Sequence, residues 1–316
     1  MSCAIGIDLG GTFIKYGLVD RTGTILYESI RPTYLPGVQD GVYTSLLDAL
    51  TGLRAQAVGM GLLPEGIGIG APAIIDNGIL IGCAANLPDL EGRALGSQLE
   101  QQLRMPVRVE NDATLMGLAE WKFGAARNLT DVIFLTIGTG IGGAMILDDK
   151  LYTGYRHRGG ELGHMVIEDN GLPCGCGGKG CLEAHASVKA LIEDYQRLTG
   201  TKEPAGNNVP SRSLEITGNV IISAYLDQQP TAIIAMNRHF DYLAAGITGL
   251  INIFAPQKLI LGGGITEAGD FYIDEIRQRV QKRVMKETSL NTGIERAQLG
   301  NKAGFMGAAA LVFNSF

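Results

Sequence analysis

No apolar run in this sequence is long enough to cross a bilayer. The longest, Tyr242 to Ala255, is interrupted by Thr248 and Asn252 and reads as a buried helix. There is no surplus of positive charge either: 26 Lys and Arg face 32 Asp and Glu, and the net charge of −6 has no basic patch to offset it. A nucleic-acid surface is therefore not expected. The N-terminus carries no secretory leader pattern and enters a strand-like run, Cys3 to Leu9, almost at once. No G-x-x-x-x-G-K-[ST] occurs, and no G-x-G-x-x-G opens a βαβ unit at the N-terminus, so Walker and Rossmann readings are weak. Cysteine is sparse and odd in number, five in 316 residues, with three of the five between positions 174 and 181. Without a leader, that spacing fits metal binding in a reducing, cytoplasmic compartment better than disulfides.

Glycine is abundant, 45 of 316 residues, about double the average usage near 7%. These glycines sit in short turns beside apolar runs, the pattern of tight backbone approach to a ligand and not of disorder. The length exceeds what one hydrophobic core supports, so two domains are expected. The first thirty residues read as strand, turn, strand, turn, strand. Helices are expected over Gly41 to Met60, Arg93 to Arg104, Asp112 to Phe123, Ser187 to Leu198, Leu214 to Leu226, Thr231 to Phe254, Phe271 to Met285 and Ala303 to Phe313. Strand character falls on Ile67 to Gly70, Ile74 to Ile81, Val107 to Glu110, Asp131 to Ile137, Ala144 to Leu147 and Lys258 to Leu261, and Thr201 to Arg212 reads as an exposed loop. Gly10 to Tyr27 and Gly138 to Tyr152 repeat one order: glycine turn, apolar strand, acidic turn, short strand reaching Tyr. That order suggests a duplicated supersecondary unit, one per domain.

Four groups of residues carry chemistry. Asp8-Leu9-Gly10-Gly11-Thr12 offers a carboxylate at a strand end, then exposed amides and a hydroxyl. Such a turn cradles phosphate, with Asp8 and Thr12 holding hydrated Mg2+ against it; a plain tight β-turn has the same pattern. Gly138-Thr139-Gly140 is a second cradle, and Gly262-Gly263-Gly264 is either a pass beside an adenine ring or only a strand-to-helix turn. Glu110-Asn111-Asp112 lies at a strand-to-helix junction, where Asp or Asn is also an ordinary N-cap. His164, Cys174, Cys176 and Cys181, spaced H-x9-C-x-C-x4-C, form a complete tetrahedral zinc set. Four protein ligands leave no open position, so the metal braces a loop. Glu161 and Glu183 flank this cluster, where they suit the vicinal hydroxyls of a sugar.

Taken together, these residues resemble the ROK family of sugar kinases and sugar-responsive repressors, nearly end to end. D-L-G-G-T at 8–12 and I-G-T-G-I-G-G at 137–143 are similar to its two phosphate motifs. E-N-D at 110–112, E-L-G-H at 161–164, C-G-C-G-G-K-G-C-L-E at 174–183 and L-G-G-G-I at 261–265 are similar to its catalytic, sugar, zinc and nucleotide segments. The resemblance implies an α/β protein with the two-domain actin-like ATPase (ribonuclease H-like) fold and a cleft between domains. Residues 1–115 would form the N-terminal domain, with a C-terminal helix of about 302–316 packing back on it. Residues 116–301 would form a larger domain with the zinc loop.

The resemblance further implies ATP-dependent phosphorylation of a hexose or amino sugar, glucose by default and at the 6-hydroxyl, with Asp112 as general base. Asn86, Asn111, Glu161, His164 and Glu183 would hold the sugar. Asp8, Gly10, Gly11, Thr12, Gly138, Thr139, Gly140, Gly262, Gly263 and Gly264 would hold the Mg2+ nucleotide. Such proteins are commonly homodimers, and neither nucleic acid nor membrane is an expected partner. A non-catalytic sugar sensor is the alternative, although family repressors carry a DNA-binding segment ahead of the first phosphate motif and only seven residues precede Asp8 here. Two departures stand out: Ala73 where G-x-P-G ends in Gly, so that a methyl narrows the sugar side, and Asp89-Leu90 where Gly-Trp is usual.

Overall fold

The computed structural model describes residues 2–82, 87–201 and 216–313. It begins with three strands, β1 (Ser2–Leu9), β2 (Phe13–Asp20) and β3 (Ile25–Pro32), followed by α1 (Gly41–Gly59) and β4 (Leu63–Ala71). A small hairpin, β5 (Ile74–Asp76) and β6 (Ile79–Gly82), precedes α2 (Leu95–Leu103), β7 (Val107–Asn111) and α3 (Asp112–Phe123). Three more strands follow, β8 (Val132–Ile137), β9 (Ile141–Leu147) and β10 (Lys150–Tyr152). Helices α4 (Leu182–Ala186), α5 (Val188–Thr199), α6 (Gly218–Leu226) and α7 (Pro230–Phe254) lead to β11 (Lys258–Gly262). The chain ends with α8 (Asp270–Gln281), α9 (Lys286–Ser289), β12 (Gly293–Arg296) and α10 (Ala303–Phe313).

Two five-stranded sheets share one plan. Their orders are β3-β2-β1-β4-β7 and β10-β9-β8-β11-β12. In the first, β1 and β3 flank β2 antiparallel, while β4 runs parallel to both β1 and β7. In the second, β9 and β10 are antiparallel and β11 and β12 parallel. The repeat read in the glycine turns thus extends to the order of whole sheets. The strand character expected over Ile74 to Ile81 takes the form of two strands: Asn77 and Gly78 adopt left-handed backbone (φ 50° and 77°) and fold it into the β5–β6 hairpin. The helix expected from Phe271 stops at Gln281, and the exposed loop and first residues of the Leu214 helix fall in 202–215, outside the described residues.

The chain divides into two compact units. One comprises Met1–Leu135, Gly143–Glu161 and Ala297–Phe316; the other comprises Thr136–Gly142 and Leu162–Arg296. In the first, strand alternation decides the layering. Cys3, Ile5, Ile7 and Leu9 of β1 share a core with Leu46, Leu50 and Leu53 of α1 and with Leu95 and Leu99 of α2. On the opposite face, Ala4 packs with Phe305, Met306 and Ala309 of α10 and Ala119 of α3. Here α10 lies main chain against main chain. A methyl on Gly6 would sit 1.9 Å from the Phe305 carbonyl oxygen, one on Gly68 1.8 Å from that of Ala308, and one on Gly307 1.8 Å from that of Leu115. This is why the last helix reads Ala-Gly-Phe-Met-Gly-Ala-Ala-Ala.

A buried carboxylate ties that helix in place. Glu120 of α3 is 1% exposed and accepts the amides of Gln298 and Leu299 through Oε1 (2.9 and 2.8 Å) and that of Ala125 through Oε2 (2.8 Å). In the second unit, α7 is the central element, burying Met236, Phe240, Leu243, Ile247, Leu250 and Ile251 against α4, α5, α6 and α8. Each such side chain contributes about 1.5–3 kcal/mol. Among the described residues no helix is long and apolar enough to cross a membrane. Glu120→Ala should leave three amides without their acceptor, one of them buried, destabilise by on the order of 3 kcal/mol and lower the melting temperature by about 5–10 °C. Thermal unfolding followed by circular dichroism measures this, and an unchanged melting temperature would remove the anchoring role.

Candidate active site

In the first unit the site starts from the end of β1. Asp8 shares the face of Ala4 and Gly6, which brings its carboxylate against the first turn of α10: a methyl on Gly304 would lie 2.6 Å from Asp8 Oδ2. The turn that follows is closed by the Gly10 amide on the Phe13 carbonyl (3.1 Å). Thr33 braces it, donating its hydroxyl to the Gly10 carbonyl (2.6 Å) and its amide to that of Thr12 (2.9 Å). Gly11 and Thr12 are left exposed at the tip.

Two strands away, β7 ends at Asn111, which caps α3 by accepting the Thr114 amide (3.1 Å) while its own amide group donates to the Ala73 carbonyl (3.3 Å). The next residue, Asp112, accepts its neighbour's amide, Ala113 N–H, at 2.8 Å. The cap and the carboxylate are thus different residues, so an N-cap role for Asn111 leaves Asp112 free for chemistry. Burial pushes Asp112 above the usual carboxylate range, against the pull of the local backbone amides. Asp8 is raised to about 6, by burial first, then by repulsion from Asp112, with Lys15 opposing. A buried Asp8 repelled by a half-buried Asp112 makes a cation-seeking, proton-accepting pair.

Glu110 is also buried and raised, chiefly by desolvation. Its Oε1 accepts the Asn111 amide (2.9 Å), and His157 Nδ1 lies 3.6 Å from its Oε2. Glu161 is exposed and close enough to repel Glu110. Asn86 lies outside the described residues.

In the second unit, the His164 ring nitrogen and the thiols of Cys174, Cys176 and Cys181 lie within 4.8 Å of one another. Cys174 Sγ is 3.5 Å from His164 Nδ1, and Cys176 Sγ is 3.7 Å from Cys181 Sγ. Two Zn–S bonds of about 2.3 Å at the tetrahedral angle place sulfurs about 3.7 Å apart, so the donor set fits a four-coordinate zinc ion. The knuckle is shaped by Gly177 and Gly180 (φ 91° and 74°), and a side chain at Gly180 would strike the Glu168 carbonyl. Burial lifts Cys181 to about 12, so its thiolate needs a cation beside it.

The knuckle is joined to the second glycine hairpin. Glu183 accepts the Ile141 amide through Oε2 (2.9 Å) while its Oε1 lies 3.8 Å from Cys174 Sγ. A methyl on Gly140 would meet that Oε2 at 2.3 Å, and one on Gly163 would meet the Ile141 carbonyl at 1.8 Å. Both glycines are therefore required for the contact. Behind the hairpin a cavity of about 220 Å3 is lined by Gly138, Thr139, Val188, Thr217, Asn219 and Gly264. Gly263 has φ 93° and leaves no room for a side chain beside the Ile137 carbonyl.

Sequence reasoning missed four contributors. Thr217 and Asn219, from the start of α6, line the cavity without belonging to any glycine motif. His185 accepts the Leu172 amide (3.1 Å), with Glu168 3.5 Å from its other nitrogen, and so holds the knuckle from behind. His157 meets Glu110. The two histidines are isolated in the sequence, and only the fold supplies their partners.

Residues 4–315 match the family model described as ROK family. A glucokinase of Streptomyces coelicolor is 34% identical over 319 residues, covering 98% of this chain and 98% of that enzyme. A xylose repressor of Bacillus subtilis is 32% identical over 317 residues, 99% of this chain and 77% of the repressor. The crystal structure of a ROK family glucokinase from Streptomyces griseus, in complex with glucose and AMPPNP, superimposes with a TM-score of 0.80 at 32% identity, covering 98% of each chain.

Because Asp8 binds its proton more tightly folded than unfolded, its contribution to stability is complete below about 3.9 and is lost as the pH rises through about 6. Without divalent metal, the melting temperature of the parent should therefore fall more between pH 5 and 7.5 than that of Asp8→Asn, by on the order of 5 °C. Scanning fluorimetry across that range checks it; parallel pH profiles would show that Asp8 is not the strained group.

Proposed function

The chain belongs to the ROK family and has its actin-like ATPase fold, and we propose that it is an ATP-dependent sugar kinase. The acceptor is a hexose or amino sugar, with glucose as the default substrate and the 6-hydroxyl as the attacking group. The observation that carries this reading is the half-buried Asp112 carboxylate at the start of α3, raised in proton affinity by desolvation and left free by the Asn111 cap.

In phosphoryl transfer the protein mainly positions groups and neutralises charge. Asp112 accepts the hydroxyl proton as the sugar oxygen attacks the γ-phosphorus. Asp8 and Thr12 would hold Mg2+, and the amides of Gly10, Gly11 and Gly138 to Gly140 would receive phosphate oxygens. Gly262 to Gly264 border the base. Asn86, Asn111, Glu161, His164 and Glu183 hold the ring hydroxyls. His164, Cys174, Cys176 and Cys181 would hold zinc, which with four protein ligands would supply rigidity and no reactive water. His164 meets the thiols through Nδ1, which leaves Nε2 for a hydroxyl. Glu183 already holds the Ile141 amide, so a sugar hydroxyl would share or replace that contact.

A second reading, a non-catalytic sugar sensor, is favoured by the likeness to the xylose repressor. Sugar binding without turnover, joined to a gel shift on operator-like DNA, would establish it.

Coupled ADP release over a panel of hexoses and amino sugars tests the kinase reading. Asp112→Asn should lower kcat by about 10²–10⁴-fold while calorimetry finds sugar affinity little changed. Full turnover in that variant would overturn the assignment. Elemental analysis should find about one zinc per chain. Cys176→Ser should weaken sugar binding or solubility before nucleotide affinity, and a metal-free protein of unaltered sugar affinity would refute the bracing role.

A further inference from the structure

After β10 the chain turns through Tyr155-Arg156-His157-Arg158, and three side chains of this segment reach two buried carboxylates of the same unit. Arg156 and Arg158 both place Nη2 on Asp76 Oδ2, at 3.2 and 2.8 Å, and His157 Nδ1 lies 3.6 Å from Glu110 Oε2. Asp76 is 7% exposed and Glu110 8%. The backbone is bent to make these contacts: Arg156 and His157 are consecutive left-handed residues, φ 56° and 59°, and neither is glycine. Such a conformation is strained for residues with a side chain and persists only where the surroundings over-determine it.

The Glu110 carboxylate does not end at the histidine. Its other oxygen accepts the Asn111 amide at 2.9 Å, Asn111 caps α3 through Thr114, and the first residue of that helix is Asp112. A continuous line of contacts therefore runs from the His157 ring, through one carboxylate and one peptide group, to the backbone that carries Asp112. Glu161 faces the same carboxylate and repels it, so His157 opposes the charge that would turn Glu110 away. There is space for it to turn: a cavity of about 450 Å3 borders Glu110 and His157, walled by Ile75, Val107, Val109 and Leu151.

We propose that His157 is a positioning residue for the catalytic segment, fixing the Glu110 carboxylate and through it the Glu110–Asn111 peptide, one residue ahead of Asp112. The inference rests on Asp112 being the general base, and its test separates the two.

His157→Gly removes the ring, while glycine adopts the left-handed turn without steric conflict, so the melting temperature should hold or rise. In that variant kcat should fall by about tenfold to a hundredfold, as small misplacements of reacting groups do. The sugar KM should change by less than about threefold, since ground-state binding is untouched. Amide exchange in the peptide covering 109–115 should quicken by about tenfold, reporting looser anchoring independently of turnover. His157→Asn tolerates the same turn and puts an amide nitrogen where Nδ1 stood, and it should recover most of both losses.

Parent-like kcat and exchange in His157→Gly would overturn the proposal, as would an Asn variant no better than Gly. If the parent phosphorylates no sugar, the kinase reading fails while the exchange comparison still decides the positioning.

Discussion

A helix rests its main chain directly on the main chain of a sheet only where no side chain intervenes, and the first unit depends on that condition. Gly6 and Gly68 clear the sheet, Gly307 clears α3, and α10 fills the space between them. The same approach admits Asp8 to the first turn of α10 across Gly304 and brings α3, with Asp112 at its start, onto the helix from the other side. Burial then raises both carboxylates, and their proximity raises Asp8 further. Close packing and perturbed proton affinity are one arrangement seen at two levels, since the glycines that allow contact also exclude the water that would stabilise charge.

The second unit is organised by a different constraint. Its thiols and imidazole lie on a short knuckle with few buried side chains of its own, and shape comes from left-handed glycines, from His185 behind it and from the donor set. Glu183 then joins this knuckle to the Gly138–Ile141 hairpin, with Gly140 and Gly163 kept small for the contact. The metal-ligand cluster and the glycine hairpin are consequently one packed body within the unit. A disturbance in either is felt by the other through a single carboxylate.

Much of this was legible in the chain itself. The run Cys3 to Leu9 announced a strand, and the Cys and His spacing announced a tetrahedral donor set, because both are local patterns set by backbone geometry. The strand-to-helix junction at Glu110-Asn111-Asp112 was equally plain, since cap residues are chosen locally. What was not legible depends on partners far away in sequence. Nothing in Ala303 to Phe313 says that its glycines face Leu115 and Asp8, and a histidine between two arginines gives no sign of a carboxylate 47 positions earlier. The strand character of Ile74 to Ile81 was legible, and its Asn77-Gly78 pair is the local signal of the turn that divides it in two.

The wedge formed by α10 has a consequence for synthesis on the ribosome. Strands β1 and β4 emerge early, yet the helix that covers their glycine face is made last. At about 5–20 residues per second the sheet waits for tens of seconds with bare backbone and apolar surface uncovered. Unlike a unit whose elements pair as they leave the exit tunnel, this one stays unfinished until α10 has emerged, and until then its glycine face is open to wrong partners.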